Sequence, residues 1–189
     1  MTKSILFVGV GGQGIILASK MLTEGLIKFG YDVKMSEVHG MAQRGGSVTT
    51  QVRFGEKVYS PLIGLGEADV VVAFEKLEAA RVIGYLKEGG AVVVNDYEIH
   101  PMTVQVGKEV YPTDIMEKLN DKVSNVKLVN AAEIAKDLGN IKAQNIVLLG
   151  ALVKALGLED LDWAQVVKES LPEKMHDLNI KAINAGINK

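Results

Sequence analysis

Ile5-Leu6-Phe7-Val8-Gly9-Val10-Gly11-Gly12-Gln13-Gly14-Ile15-Ile16-Leu17-Ala18 passes from one apolar run, through a glycine turn, into a second run of different period. Apolar residues recur at 15, 18, 22, 26 and 29, one stripe of a helix, and Gly30 supplies a C-cap. The stretch therefore predicts strand, tight turn and helix. Gly9-x-Gly11-x-x-Gly14 has the spacing of a βα turn whose free helical N–H groups take an anionic group. The same glycines also serve a turn that only lets the helix pack close to the strand. The residues alone leave both readings open.

Working outward, Asp32–Val38 predicts a second strand, and Val48–Phe54 alternates apolar and polar residues as a third. Gly55-Glu56-Lys57 predicts a hairpin turn into Val58-Tyr59-Ser60, stopped by Pro61. Asp69-Val70-Val71-Val72-Ala73-Phe74 is the continuous apolar run of a strand buried on both faces, and Ala91–Asn95 is another. Between them Glu75–Leu86 predicts a helix ended by Gly89-Gly90. In the second half Val126–Val129 predicts a short strand followed by a helix to Leu138. Asp114 with Glu117, Asn130 with Glu133 and Asp162 with Gln165 have capping-box spacing. Ile146–Val153 is apolar nearly all round, which suits a helix buried in the domain or against a partner subunit. Strands alternating with helices predict one α/β domain over residues 1–189. It is Rossmann-like and three-layered, with a mixed, mostly parallel sheet and a β-hairpin extension over 48–60.

Composition narrows the chemistry. Of 189 residues, 48% are hydrophobic and 23% charged, the balance of an ordinary globular domain. A net charge of −2 with scattered lysines and arginines leaves no electrostatic footprint for nucleic acid. No apolar run approaches the ~20 residues that span a bilayer. Met1-Thr2-Lys3 leads straight into the first strand without a signal-peptide pattern, so the chain reads as cytoplasmic. With no cysteine it can supply neither a thiol nucleophile nor thiolate ligands for an iron–sulfur cluster. His39, His100 and His176 have no zinc-type spacing, and no metal is expected.

The segment with most chemistry is Ser36-Glu37-Val38-His39-Gly40-Met41-Ala42-Gln43-Arg44-Gly45-Gly46-Ser47-Val48. Arg44 offers a planar fork of donors for carboxylate or phosphate, framed by Gly45 and Gly46. His39 can donate to the same anion or orient the loop. Glu37 can pair with Arg44, or act as a ribose-binding acid at the end of the second strand. The candidate anion-binding or interface residues are thus Gly11, Gly12, Gln13, Gly14, Glu37, His39, Arg44, Gly45 and Gly46; no catalytic residue can be named.

The glycine turn, the 36–48 block, Tyr59-Ser60-Pro61-Leu62-Ile63 and Glu67-Ala68-Asp69 together resemble the gamma domain of 2-oxoacid:ferredoxin oxidoreductases, along nearly the whole chain. Within that family the 36–48 block is most similar to the small beta subunit of the indolepyruvate enzymes. The resemblance implies oxidative decarboxylation of an aryl pyruvate with thiamine diphosphate, CoA and ferredoxin, yielding an aryl-acetyl-CoA. It also implies a division of labour. This chain has no Gly-Asp-Gly thiamine segment and no cysteine, so thiamine diphosphate and 4Fe–4S clusters are expected on a large alpha subunit. The small chain would complete the active-site or CoA cleft, reach ferredoxin through the complex and be inactive alone. Pyruvate, branched-chain 2-oxoacids and 2-oxoglutarate are the alternative substrates. A free-standing module sensing dinucleotides through Gly11, Gly14, Glu37 and Arg44 is the alternative of a different class.

Overall fold

In the computed structural model, which describes residues 2–40 and 45–189, β1 (Lys3–Val10) runs at the centre of a six-stranded sheet. The chain turns at Gly14, where φ is +80°, into α1 (Ile15–Lys28). Gly14 is required twice over: its φ is left-handed, and a Cβ there would stand 2.5 Å from Asn145 Nδ2. The helix closes as expected, with Gly30 N–H on Ile27 O and Tyr31 N–H on Leu26 O.

Next come β2 (Asp32–His39) and β3 (Ser47–Gly55), an antiparallel pair. β4 (Ala68–Ala73), α2 (Lys76–Val82), β5 (Leu86–Asn95) and the single-turn α3 (Met102–Gln105) follow. The remainder is α4 (Ile115–Lys122), β6 (Val126–Val129), α5 (Ala131–Asp137), α6 (Gln144–Leu156), α7 (Trp163–Ser170) and α8 (His176–Ile187). The sheet order is β2-β3-β1-β4-β5-β6, with β1, β4, β5 and β6 parallel.

Alternation along the central strands builds two cores. Ile5, Phe7, Val70, Val72 and Val93 face α1 and the apolar α6; Leu6, Val8, Val71, Val92 and Val94 face the other way, with Ile115 and Leu119 of α4. α6 is buried from Asn145 to Val153 and surfaces in its last turn. It crosses α8 so closely that a methyl built on Gly150 would stand 2.9 Å from Gly186 Cα.

The sheet is mixed and mostly parallel as expected, but its antiparallel part is elsewhere. The hairpin is β2–β3, which follows α1 in the chain and extends the sheet beyond β1, and residues 58–60 form no strand. The segment 58–63 instead straps the helix-free face of that hairpin through side chains. Val58 N–H donates to Asp32 Oδ2 at 2.9 Å, Arg53 Nη1 to Leu62 O at 3.1 Å, and Ile63 N–H to Gln51 Oε1 at 2.6 Å. α2 also ends early, at Val82, and β5 begins at Leu86, before Gly89-Gly90 rather than after it. Of the three capping-box sites one forms its N-cap half, Asp162 Oδ1 accepting from Gln165 N–H at 3.0 Å while the Gln165 side chain donates to Glu169. Asp114 turns to Lys118 at 2.7 Å, and Asn130 donates to Glu133.

Candidate functional site

Among the hollows lined by described residues, two of several hundred Å3 bear on function. The larger, about 640 Å3, lies where β5 starts, between Lys87 and Asp121. The smaller, about 350 Å3, lies past the carboxyl ends of β1 and β4, between Gly46, Ser47, Glu78, Arg81 and His100. Open α/β sheets take their ligands outside the carboxyl ends of the parallel strands, which selects the smaller cavity.

The glycine turn adjoins it, directly after the lining residue Val10. Gln13 folds inward there: its Oε1 accepts from Val10 N–H at 2.7 Å, and its Nε2 donates to Phe74 O at 2.8 Å, joining the ends of β1 and β4. The same Phe74 carbonyl takes Asn95 Nδ2 at 3.3 Å, which brings in the end of β5. Gly11 N–H donates to Gly46 O at 2.8 Å, so the glycine-rich block returns onto the glycine turn. Its next residue, Ser47, donates to Glu78 Oε2 at 2.7 Å, and Arg81 pairs with the other oxygen of that buried carboxylate. Half of the Arg81 side chain is exposed, and among the described residues Glu78 is its one partner. The rest of its guanidinium fork faces outward, ready for an anion.

The far wall hangs on Glu75, which is 1% exposed. One oxygen caps α2, accepting from Glu78 N–H at 2.9 Å. The other accepts from Tyr111 Oη and, at 3.3 Å, from Ile99 N–H. Burial, reinforced by the carboxylate it serves, pushes the Tyr111 phenol well above its ordinary range. Lys76 closes the outside, pairing with Asp96 at 2.6 Å and Glu98 at 3.1 Å; the Asp96 hydrogen bond holds its ammonium above the usual lysine value, against partial burial.

Of the residues singled out in sequence, Gly45 and Gly46 line the cavity, and Gly11 meets Gly46 through its N–H, whereas Gly12, Gln13 and Gly14 do not line it. His39 is exposed at the end of β2, with Nδ1 3.3 Å from Gly40 O. Arg44 lies outside the described residues. Glu37 departs from expectation: β3 lies between β2 and β1, so Glu37 pairs with Thr50 and stands two strands from the glycine turn. A ribose-binding acid belongs on the strand beside β1. Two N–H groups of the turn, at Gly11 and Gln13, are also already taken by Gly46 and Val10 carbonyls. Sequence reasoning passed over Glu75, Glu78, Arg81 and Tyr111. The available signal was position: Glu75 directly follows a buried parallel strand, where such sheets put their sites.

The model of one protein family, pyruvate ferredoxin/flavodoxin oxidoreductase, matches residues 4–189. The chain belongs to the pyruvate ferredoxin/flavodoxin oxidoreductase family. As a member of that family it is an oxidoreductase subunit. Among its relatives, indolepyruvate oxidoreductase subunit IorB of Thermococcus kodakarensis is 42% identical, over 97% of this chain and 94% of that one. The pyruvate/ketoisovalerate oxidoreductases common subunit gamma of the same organism is 32% identical, over 98% and 95%. Among solved structures, the gamma subunit of a keto/oxoacid ferredoxin oxidoreductase from Geobacter sulfurreducens matches with a TM-score of 0.71 and 26% identity, over 98% and 96%. The β2–β3 hairpin at the sheet edge is thus part of a pyruvate ferredoxin/flavodoxin oxidoreductase gamma fold.

Proposed function

We propose that this chain is the small subunit of a 2-oxoacid:ferredoxin oxidoreductase acting on indolepyruvate and related aryl pyruvates, and that it completes the cleft in which CoA meets a large thiamine-bearing subunit. The observation that carries the substrate is the 42% identity to an indolepyruvate oxidoreductase subunit, against 32% to a pyruvate/ketoisovalerate one. In the reaction a 2-oxoacid anion and CoA give acyl-CoA, carbon dioxide, a proton and two electrons, and the electrons leave to ferredoxin. The donor set of this chain does not fit the redox centres. It has no cysteine for a cluster, and among the described residues no three His, Asp or Glu side chains gather to hold a metal ion. Thiamine diphosphate and the 4Fe–4S clusters therefore belong on the partner.

What this chain contributes is binding. The outward fork of Arg81, with the Gly45–Gly46 backbone beside it, suits a phosphate of CoA. Val10, Leu77, Ile99 and Pro101 give the same cavity apolar walls. The test is reconstitution with a co-encoded large subunit, following CoA-dependent dye reduction with indolepyruvate, phenylpyruvate, pyruvate and 2-oxoglutarate. Activity in the mixture alone, with aryl pyruvates preferred, is the expected result. A preference for pyruvate would overturn the substrate, and failure to associate would overturn the subunit reading. Arg81→Ala should raise the KM for CoA about tenfold with kcat kept, the loss of one charge-assisted contact.

A further inference from the structure

Residues 96–111 leave the end of β5, cross the cavity and return to the body of the protein at Tyr111. Lys76 ties down its start and Val104 rests on the core; the rest of the crossing bonds to itself. Val104 and Gln105 N–H groups bond Pro101 O, Val106 N–H bonds Met102 O, Lys108 and Glu109 N–H groups bond Thr103 O, and Gln105 Nε2 reaches back to His100 O at 2.7 Å. A compact loop of this kind moves as one piece, so its place is set at its two ends. Both ends meet at one atom. Glu75 Oε1 takes Ile99 N–H where the loop begins and Tyr111 Oη where it ends, and the His100 ring lies 4.9 Å from the Tyr111 ring. The other oxygen of that carboxylate fixes the start of α2, the helix that presents Glu78 and Arg81.

We propose that Glu75 and Tyr111 are positioning residues for CoA: their clasp holds the His100–Gln105 wall of the cavity at a fixed distance from Arg81, so that the two sides grip one ligand. The inference rests on the reading of this cavity as the CoA cleft. The carboxylate is buried and acts only through its neighbours; neither residue touches the reacting atoms. The clasp keeps its donor throughout the working pH range, because burial holds the Tyr111 phenol protonated.

The experiment uses the reconstituted complex with Tyr111→Phe, which removes one bond of the clasp and keeps the ring. Expected is a rise of roughly three- to tenfold in the KM for CoA, with kcat and the KM for the 2-oxoacid unchanged, and faster deuterium uptake confined to residues 99–110. Unchanged KM for CoA in Tyr111→Phe, beside a raised one in Arg81→Ala, overturns the clasp and leaves the cleft standing. Unchanged KM in both overturns the cleft and the clasp with it. A uniform fall in kcat without a change in KM also overturns the proposal. Glu75→Gln, which keeps one acceptor oxygen, replaces Tyr111→Phe if that complex fails to assemble, and the same outcomes decide.

Discussion

Asp69 sits where the parallel strands begin, its side chain 10% exposed, with Ser4 N–H at 2.8 Å, Lys3 Nζ at 3.3 Å and Lys87 Nζ on the same oxygen as Lys3. Burial by itself would raise its pKa, but the Lys87 hydrogen bond, the Ser4 amide and the two ammonium charges together hold it below the ordinary carboxylate value. A carboxylate whose folded pKa is depressed stabilises the fold fully above its unfolded pKa, about 3.9, and loses that contribution as pH falls through the folded value. Asp69→Asn should therefore lower the urea midpoint at pH 7, and its gap from the parent should close as the pH is taken below about 4. A gap that persists unchanged at pH 2.5 would mean that Asp69 acts through packing alone.

α6 and α8 depend on two facing glycines. A Cβ on Gly150 would run into Gly186 Cα at 2.9 Å and into the α8 backbone beside it, and backbone has no rotamer with which to escape. Gly150→Ala should cost about 1–3 kcal/mol or more, although alanine is the better helix former, because overpacking outweighs the ~1 kcal/mol gained in propensity. Urea denaturation checks it; a stabilised variant would show that the helices slide apart freely. Nothing in the sequence marks this contact, since a glycine inside an apolar helix looks the same whether it meets solvent, lipid or backbone. The elements themselves were legible where one periodicity ruled: β1, α1, β2, β4 and α6 follow from residue spacing. Val58-Tyr59-Ser60 misled because β-branched and aromatic residues beside a Gly-Glu-Lys turn satisfy the local rules of a hairpin, while the side chains of Asp32 and Arg53 take the Val58 N–H and the Ser60 carbonyl instead. At the site, the glycines were legible by spacing. Glu75 and Tyr111 were not, since 36 residues separate them and only the sheet topology brings them together.

At the scale of the whole molecule, one continuous sheet separates two apolar cores, and its middle strands are covered on both faces. Amide exchange should accordingly be slowest in β1 and β4 and fastest in β2, which is an edge strand with one row of amides unpaired within the sheet. Equal protection of β2 in the assembled complex would locate a partner along that edge. The hairpin next to β1 carries a further consequence. Its ladder runs without a break from Asp32 opposite Gly55 to His39 opposite Val48, and β3 is held again by β1 from Lys3 to Val10. Register is thereby set along the whole length of β3 by a neighbour on either side. Loop-closure entropy changes by only about 0.6 kcal/mol for each doubling of length. A change in the length of the connection between β2 and β3 therefore costs the scaffold little loop-closure entropy, and a new substrate or a new partner can be tried there without first re-solving the problem of folding.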